Sequence, residues 1–258
     1  MKRAITGVLL ALAASYVIFS APLVIFKVVA LYLGATCYWE YAGIVAAHGI
    51  GRPSLFGALA GVLFLFAPGY VPLGLSLLAI LALTVALRRD NLRDVLPQVS
   101  AEFLGAIYAF LPWRFAELLR IKSVHWLFFA VALNWAGDSA AYYAGRTFGR
   151  HRMAPVVSPK KSWEGAAGSV FGSLVFGLIY MGYFQPDVAW WKVASIAVVA
   201  NIAGQFGDLA ESAIKRGAGV KDSGKMLPGH GGMLDRLDSS LFALPVVYAL
   251  ALLIGLIQ

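Results

Sequence analysis

Residues 190–216 read WWKVASIAVVANIAGQFGDLAESAIKR, almost wholly apolar through Ala200 and then polar at every turn. Asn201, Gln205, Asp208, Ser212 and Lys215 step by four, three, four and three. That spacing places them on one face of an α-helix. Glu211 stands beside Asp208 on the i,i+3 row. A run of this length and apolarity is a membrane span, expected over 190–215. An ionisable residue inside a span is costly and marks a functional site by default. Asp208 therefore requires a cation, either Lys215 or a metal. Asn201 and Gln205 equally suit hydrogen bonding between helices.

The rest of the chain has the same character. It holds 258 residues, 60% hydrophobic and only 13% charged, with a mean hydropathy of +0.76. Soluble domains carry about 25% charged residues. The net charge of +8 does not indicate nucleic acid, because the basic residues occupy short gaps between apolar runs, as positive-inside loops do. Further spans are expected near 4–20, 22–46, 54–67, 70–88, 100–113, 124–145, 165–184 and 239–257, with 54–67 and 100–113 short or reentrant. The fold class is thus an all-α polytopic transmembrane helical bundle of about nine spans, some short or broken. The first run also fits a signal peptide, but recurring apolar runs favour an uncleaved span. The lone Cys37 excludes an intrachain disulfide and reads as a packing residue.

Lysine and arginine cluster near 88–93, 146–161 and 215–236, which places these gaps and the N-terminus in the cytoplasm. Arg114, Arg120 and Lys122 oppose that orientation, and a short or reentrant fifth span or an interfacial helix there removes the conflict. The 124–145 span carries Asn134, Asp138 and Tyr142 at i, i+4 and i+8. Its stripe and that of 190–215 suit a polar cavity open to the cytoplasm. Seven of the 13 carboxylates fall within 134–164 and 201–238: Asp138, Glu164, Asp208, Glu211, Asp222, Asp235 and Asp238. The chain accordingly divides into N-terminal helices over 1–123 and a catalytic region over 124–258. Glu40, flanked by Trp39 and Tyr41, reads as structural, paired with a nearby basic residue.

Two loops carry the chemistry. In the first, Ser158, Lys160, Lys161 and Ser162 are donors suited to a polyphosphate, and Ser162 can also N-cap the following helix. In the second, glycines at 217, 219, 224, 229, 231 and 232 let backbone amides approach an anion. Lys215, Arg216, Lys221 and Lys225 add positive field. Asp235 and Asp238 open the last span one turn apart. They suit a hard cation such as Mg²⁺, or N-terminal dipole compensation. His230, between two glycines, is exposed to a ligand.

The second loop resembles the signature of the phosphatidate cytidylyltransferases, or CDP-diacylglycerol synthases. The matching residues are Ser212-Ala-Ile-Lys215-Arg216, four residues, Lys221-Asp222, and Leu227-Pro-Gly-His230-Gly231-Gly232-Met-Leu-Asp235-Arg236-Leu-Asp238. Residues 138–146 and 158–165 are similar to further blocks of that family. Before residue 124 the likeness rests on hydropathy and the Trp39-Glu40 pair. The resemblance implies that CTP and phosphatidic acid give CDP-diacylglycerol and pyrophosphate in phospholipid biosynthesis. It also implies Mg²⁺, alone or together with a second cation, and a homodimer.

Asp208 and Asp235 are the metal ligands carried over, joined by Asp238 and Glu211. Lys215, Arg216, Lys221 and Arg236 are expected on CTP phosphates or pyrophosphate. Ser158, Lys160, Lys161 and Ser162 serve the lipid head group or the nucleotide. Ser212, Asp222, His230, Gly231 and Gly232 complete the substrate set. A bacterial inner membrane with a cytoplasmic active site is the expected location. The rival class is a cation-coupled transporter with an intramembrane aspartate. A CDP-alcohol phosphotransferase is disfavoured, because the chain contains no Asp-Gly pair.

Overall fold

The computed structural model describes residues 2–88, 91–226 and 231–257. Among these residues there are nine α-helices: α1 (Lys2–Phe19), α2 (Leu23–Ala47), α3 (Leu55–Phe66), α4 (Val71–Ala86), α5 (Val95–Lys122), α6 (Val124–Phe148), α7 (Trp163–Phe184), α8 (Trp190–Gly217) and α9 (Leu234–Leu253). Between α6 and α7 an antiparallel hairpin, β1 (Arg152–Ala154) and β2 (Ser158–Ser162), interrupts the all-helical pattern. Among the described residues, five helical stretches are long and apolar enough to cross a membrane: Leu23–Ala47, Leu92–Lys122, Trp163–Phe184, Trp190–Gly217 and Leu234–Leu253. The chain is a helical integral membrane protein. Large exposed side chains such as Val24, Phe171, Ile179 and Tyr183 are the expected lipid-facing surface.

Two span expectations change. The short fifth span is instead α5, a helix of 28 residues that continues through Pro112. At 1.5 Å per residue it is roughly 42 Å long. Arg114, Arg120 and Lys122 therefore belong to its last turns and not to a loop. Charge misled the reading here, because Arg114 closed the expected span, whereas the helix runs on past it and buries Glu117. The second change concerns α4, read as a full span. With 16 residues it reaches roughly 24 Å, and α3 with 12 reaches roughly 18 Å, both short of a hydrocarbon core of about 30 Å. Nine helices are thus not nine full spans by length.

The chain groups into two compact units, residues 1–114 with 214–236, and residues 115–213 with 237–258. In the first unit, Phe110 of α5 is fully buried against Gly34 of α2 and Gly61 of α3. A Cβ on Gly34 would lie 2.6 Å from the Phe110 ring, so the ring requires glycine there. Cys37 is completely buried, in keeping with a packing role. Glu102 of α5 is only 2% exposed. It accepts hydrogen bonds from Ser54 N (2.6 Å), Ser54 Oγ (2.7 Å), Gly57 N (2.8 Å) and Tyr38 Oη (3.0 Å). The carboxylate thereby caps amides at the start of α3, and the four donors satisfy a charge that would otherwise be costly to bury.

In the second unit, α6 and α7 meet along a seam of small residues. Gly168 faces Ala144, Gly172 faces Ala140, and Gly165 approaches Gly145. Such seams let helix backbones approach closely in a membrane. The antiparallel pair so formed holds the hairpin at its end. Asn201 Nδ2 donates to Ser169 Oγ (3.0 Å) and Ser173 Oγ (2.8 Å). Gln205 Nε2 donates to Asn201 Oδ1 (2.7 Å) and Ala166 O (3.2 Å). These two residues therefore act as glue between α7 and α8.

Candidate active site

The glycine-rich segment of the first unit begins where α8 stops. Gly219 adopts φ +71°, Val220 N donates to Lys215 O (3.0 Å) and Gly219 N donates to Arg216 O (3.0 Å). This is a Schellman cap, which needs glycine at its left-handed position. Gly219 thus ends the helix, a local task that the sequence reading had assigned to anion approach. Lys215, in the last turn, is paired with Asp235 in the first turn of α9, and each side chain is only 8% exposed. Asp235 also accepts from Gly232 N (2.8 Å) and from Ser223 N (3.0 and 3.2 Å). Gly231 has φ +81°, and a Cβ there would come within 2.6 Å of Asp235 Oδ2. Glycine is required on both counts. Arg216, Lys221, Asp222 and Arg236 are exposed around this pair. The Arg216 guanidinium donates to Val220 O (3.2 Å). His230 lies outside the described residues.

Glu40 of α2 enters the same segment. Its carboxylate accepts from Ser223 Oγ (2.8 Å), Met233 N (3.0 Å) and Leu234 N (2.8 Å). Its partners are a hydroxyl and two amides, where a basic side chain had been expected. The sequence did carry a signal: an acidic residue inside an apolar run must find donors somewhere. Nothing in the sequence pointed to Ser223.

In the second unit, Lys161 Nζ lies 2.7 Å from Asp208 Oδ2, with side chains 27% and 36% exposed. Ser212 Oγ donates to Asp208 Oδ1 (3.3 Å), one turn along the expected face. In this structure the cation at Asp208 is Lys161, where Lys215 or a metal had been expected. The reason is tertiary: Lys215 is committed to Asp235, and β2 carries Lys161 to Asp208. Ser162 is buried and N-caps α7, accepting from Gly165 N (3.1 Å), as its position before the helix implied. Ser158 is half-buried and Lys160 exposed on the same strand. Glu164 braces the loop, accepting from Arg150 N (3.2 Å) and pairing with His151 Nδ1 (2.6 Å). Glu211 and Asp238 are buried, and Asp238 Oδ1 accepts from Ser239 N (2.6 Å).

For a metal, the donor chemistry is suitable, since Asp208 and Asp235 offer the hard oxygens that Mg²⁺ prefers. Each already faces an ammonium group, so both positions accommodate positive charge. Among the described residues, no group of three or more His, Cys, Asp or Glu side chains is placed to hold a metal ion.

Comparison with known proteins adds the identity of the chain. A family model described as the cytidylyltransferase family matches residues 1–254. A Bacillus subtilis (strain 168) protein named phosphatidate cytidylyltransferase is 32% identical over 263 residues, covering 96% of each chain. A Staphylococcus saprophyticus protein of the same name is 44% identical over 128 residues, 50% of this chain and 49% of its own length. A Staphylococcus aureus (strain COL) protein, also so named, is 38% identical over 144 residues, 56% of this chain and 55% of its own. The chain thus aligns with about half the length of the two staphylococcal relatives and with nearly all of the Bacillus one. With matches that run almost from end to end, the chain belongs to the cytidylyltransferase family.

Proposed function

We infer that the chain is a phosphatidate cytidylyltransferase of phospholipid biosynthesis. It is a membrane nucleotidyltransferase that converts CTP and phosphatidic acid into CDP-diacylglycerol and pyrophosphate. The observation that carries this reading is the second loop, where a buried Lys215–Asp235 pair shares one glycine-rich segment with exposed Arg216, Lys221 and Arg236. A site of this composition suits a polyphosphate. The cation-coupled transporter is not favoured, because an aspartate-centred ion path does not require such a loop.

The chemistry follows from charge. A phosphate oxygen of phosphatidic acid attacks the α-phosphorus of CTP, and the bond to the departing pyrophosphate breaks. Both reactants are anionic, so catalysis consists mainly of positioning and charge neutralisation. The attacking phosphate monoester is already ionised near neutral pH, so no side chain need act as a general base. Lys215, Arg216, Lys221 and Arg236 bind the CTP phosphates and then the pyrophosphate. Ser212, Asp222, Gly231, Gly232 and His230 orient the nucleotide. Ser158, Lys160, Lys161 and Ser162 hold either the lipid head group or the nucleotide. Asp208 and Asp235, with Asp238 and Glu211, would hold Mg²⁺, and a second cation where one binds. When bound, that metal supplies charge neutralisation at the reacting phosphates. The proposed location is the cytoplasmic face of a bacterial inner membrane, a reading that the basic loops support. A polar cavity open to the cytoplasm and a homodimeric assembly complete the proposal.

The test uses purified protein in detergent with labelled CTP, phosphatidic acid and Mg²⁺. Product from the wild type, lost in folded Asp208→Asn and Asp235→Asn, is the expected result. Product from all three variants would keep the enzyme and remove both aspartates as essential ligands. A folded wild type that makes no product from several lipids, with CTP or dCTP, would return the transporter reading.

A further inference from the structure

We propose that Glu40 is a positioning residue for Asp235. It acts through Ser223 and through the first amides of α9, and its effect on turnover rests on the function proposed above. The Glu40 side chain is buried in α2, 7% exposed, and points its carboxylate at three donors. Oε2 accepts from Ser223 Oγ (2.8 Å) and Leu234 N (2.8 Å), while Oε1 accepts from Met233 N (3.0 Å). The amide of the same Ser223 donates to Asp235 Oδ2 at 3.0 Å. One serine is therefore shared, its hydroxyl held by Glu40 and its amide holding Asp235.

The two glycines that flank this contact have no room for a side chain. A Cβ on Gly224 would sit 2.8 Å from the Glu40 carboxyl carbon, and one on Gly232 would sit 2.7 Å from it. The loop backbone thus packs directly on the Glu40 carboxylate at both ends of the 223–234 stretch. Because α9 begins at Leu234, the Met233 and Leu234 amides are among those that α9 cannot satisfy itself. Three converging donors call for an acceptor with two charged oxygens. A glutamine of equal size would turn an NH₂ toward at least one of them. Glu40 therefore sets the position of the first turn of α9, and with it the direction in which Asp235 meets Lys215.

The experiment compares wild type, Glu40→Gln and Ser223→Ala as full-length protein in detergent. It has two readouts. The first is the rate of CDP-diacylglycerol formation as a function of Mg²⁺. The second, independent of activity, is tryptic cleavage after Lys221 and Lys225 relative to cleavage after Lys160 in the hairpin. In Glu40→Gln, kcat is expected to fall about ten-fold or more and the half-saturating Mg²⁺ concentration to rise, as when a ligand-orienting partner is lost. The cleavage ratio is expected to rise about five-fold, because the loop opens more often. Ser223→Ala, which removes one of the three bonds, should shift both readouts in the same direction by less. If Glu40→Gln does not fold, Ser223→Ala decides by the same two measures. An unchanged cleavage ratio in folded protein would overturn the proposal. So would a loss of rate that only follows the amount of folded protein, at unchanged Mg²⁺ dependence. If the wild type makes no product, the proposed function fails, and the cleavage ratio alone decides whether Glu40 fastens the loop.

Discussion

Lys215–Asp235 and Lys161–Asp208 are lysine–aspartate pairs in very different settings. Lys215–Asp235 is buried, each side chain 8% exposed, and the carboxylate is also held by the amides of Ser223 and Gly232. Lys161–Asp208 is open, at 27% and 36% exposure, with Ser212 Oγ as the further donor to the carboxylate. A buried pair costs several kcal/mol to break, whereas an exposed one contributes about 0–1 kcal/mol. The first pair is therefore part of the fold's framework, and the second is free to exchange partners. On the proposed function, an anionic substrate draws Lys161 from Asp208 cheaply, whereas Lys215 stays against Asp235 while it meets the CTP phosphates.

The largest expected effect tests the buried member. Lys215→Met leaves the Asp235 carboxylate without its cation and should cost about 3–5 kcal/mol. Detergent-phase melting would show this, and product formation should fall about a hundred-fold or more. The double variant Lys215→Met/Asp235→Asn should melt closer to wild type yet remain inactive. A double variant no more stable than the single one would break the account of Lys215 as the counter-charge.

The next effect comes from a buried carboxylate without a lysine. Glu102→Gln disturbs the four donors around it and should cost about 1–3 kcal/mol, with the rate per folded molecule little changed. A selective loss of rate would show that the cap of α3 matters to chemistry and not only to stability. Ser162→Ala removes the N-cap of α7 and should cost about 1 kcal/mol. A rise in KM for one substrate in the same variant would sharpen the comparison, by showing which substrate the hairpin serves.

The smallest stability effect is expected at the open pair. Lys161→Met should change stability by less than about 1 kcal/mol. Activity should still fall, because on the proposed function the lysine meets a substrate phosphate. Destabilisation as large as that of Lys215→Met would erase the contrast between the two pairs.

The sequence made the helices and their polar faces legible, since these follow from residues three or four apart. Gln205 does bond Asn201 and Ser212 does bond Asp208, each a turn away. Ser162 caps the helix it precedes. The end of the fifth helix was not legible, because Arg114 and Glu117 look like loop charges until the burial of Glu117 is known. The hairpin was missed because two short strands carry too little periodicity to register beside long helices.

Membrane insertion, the helical pattern and the residue types of the site were thus set by composition and local spacing. Which lysine meets which aspartate, and that Glu40 reaches Leu234 across the chain, was decided only by tertiary structure. The physical reason is range. Helix periodicity is a short-distance property of the backbone, readable from neighbours in the sequence. A buried charge must instead be satisfied by whatever donors folding brings to it, and their separation along the chain leaves no local trace.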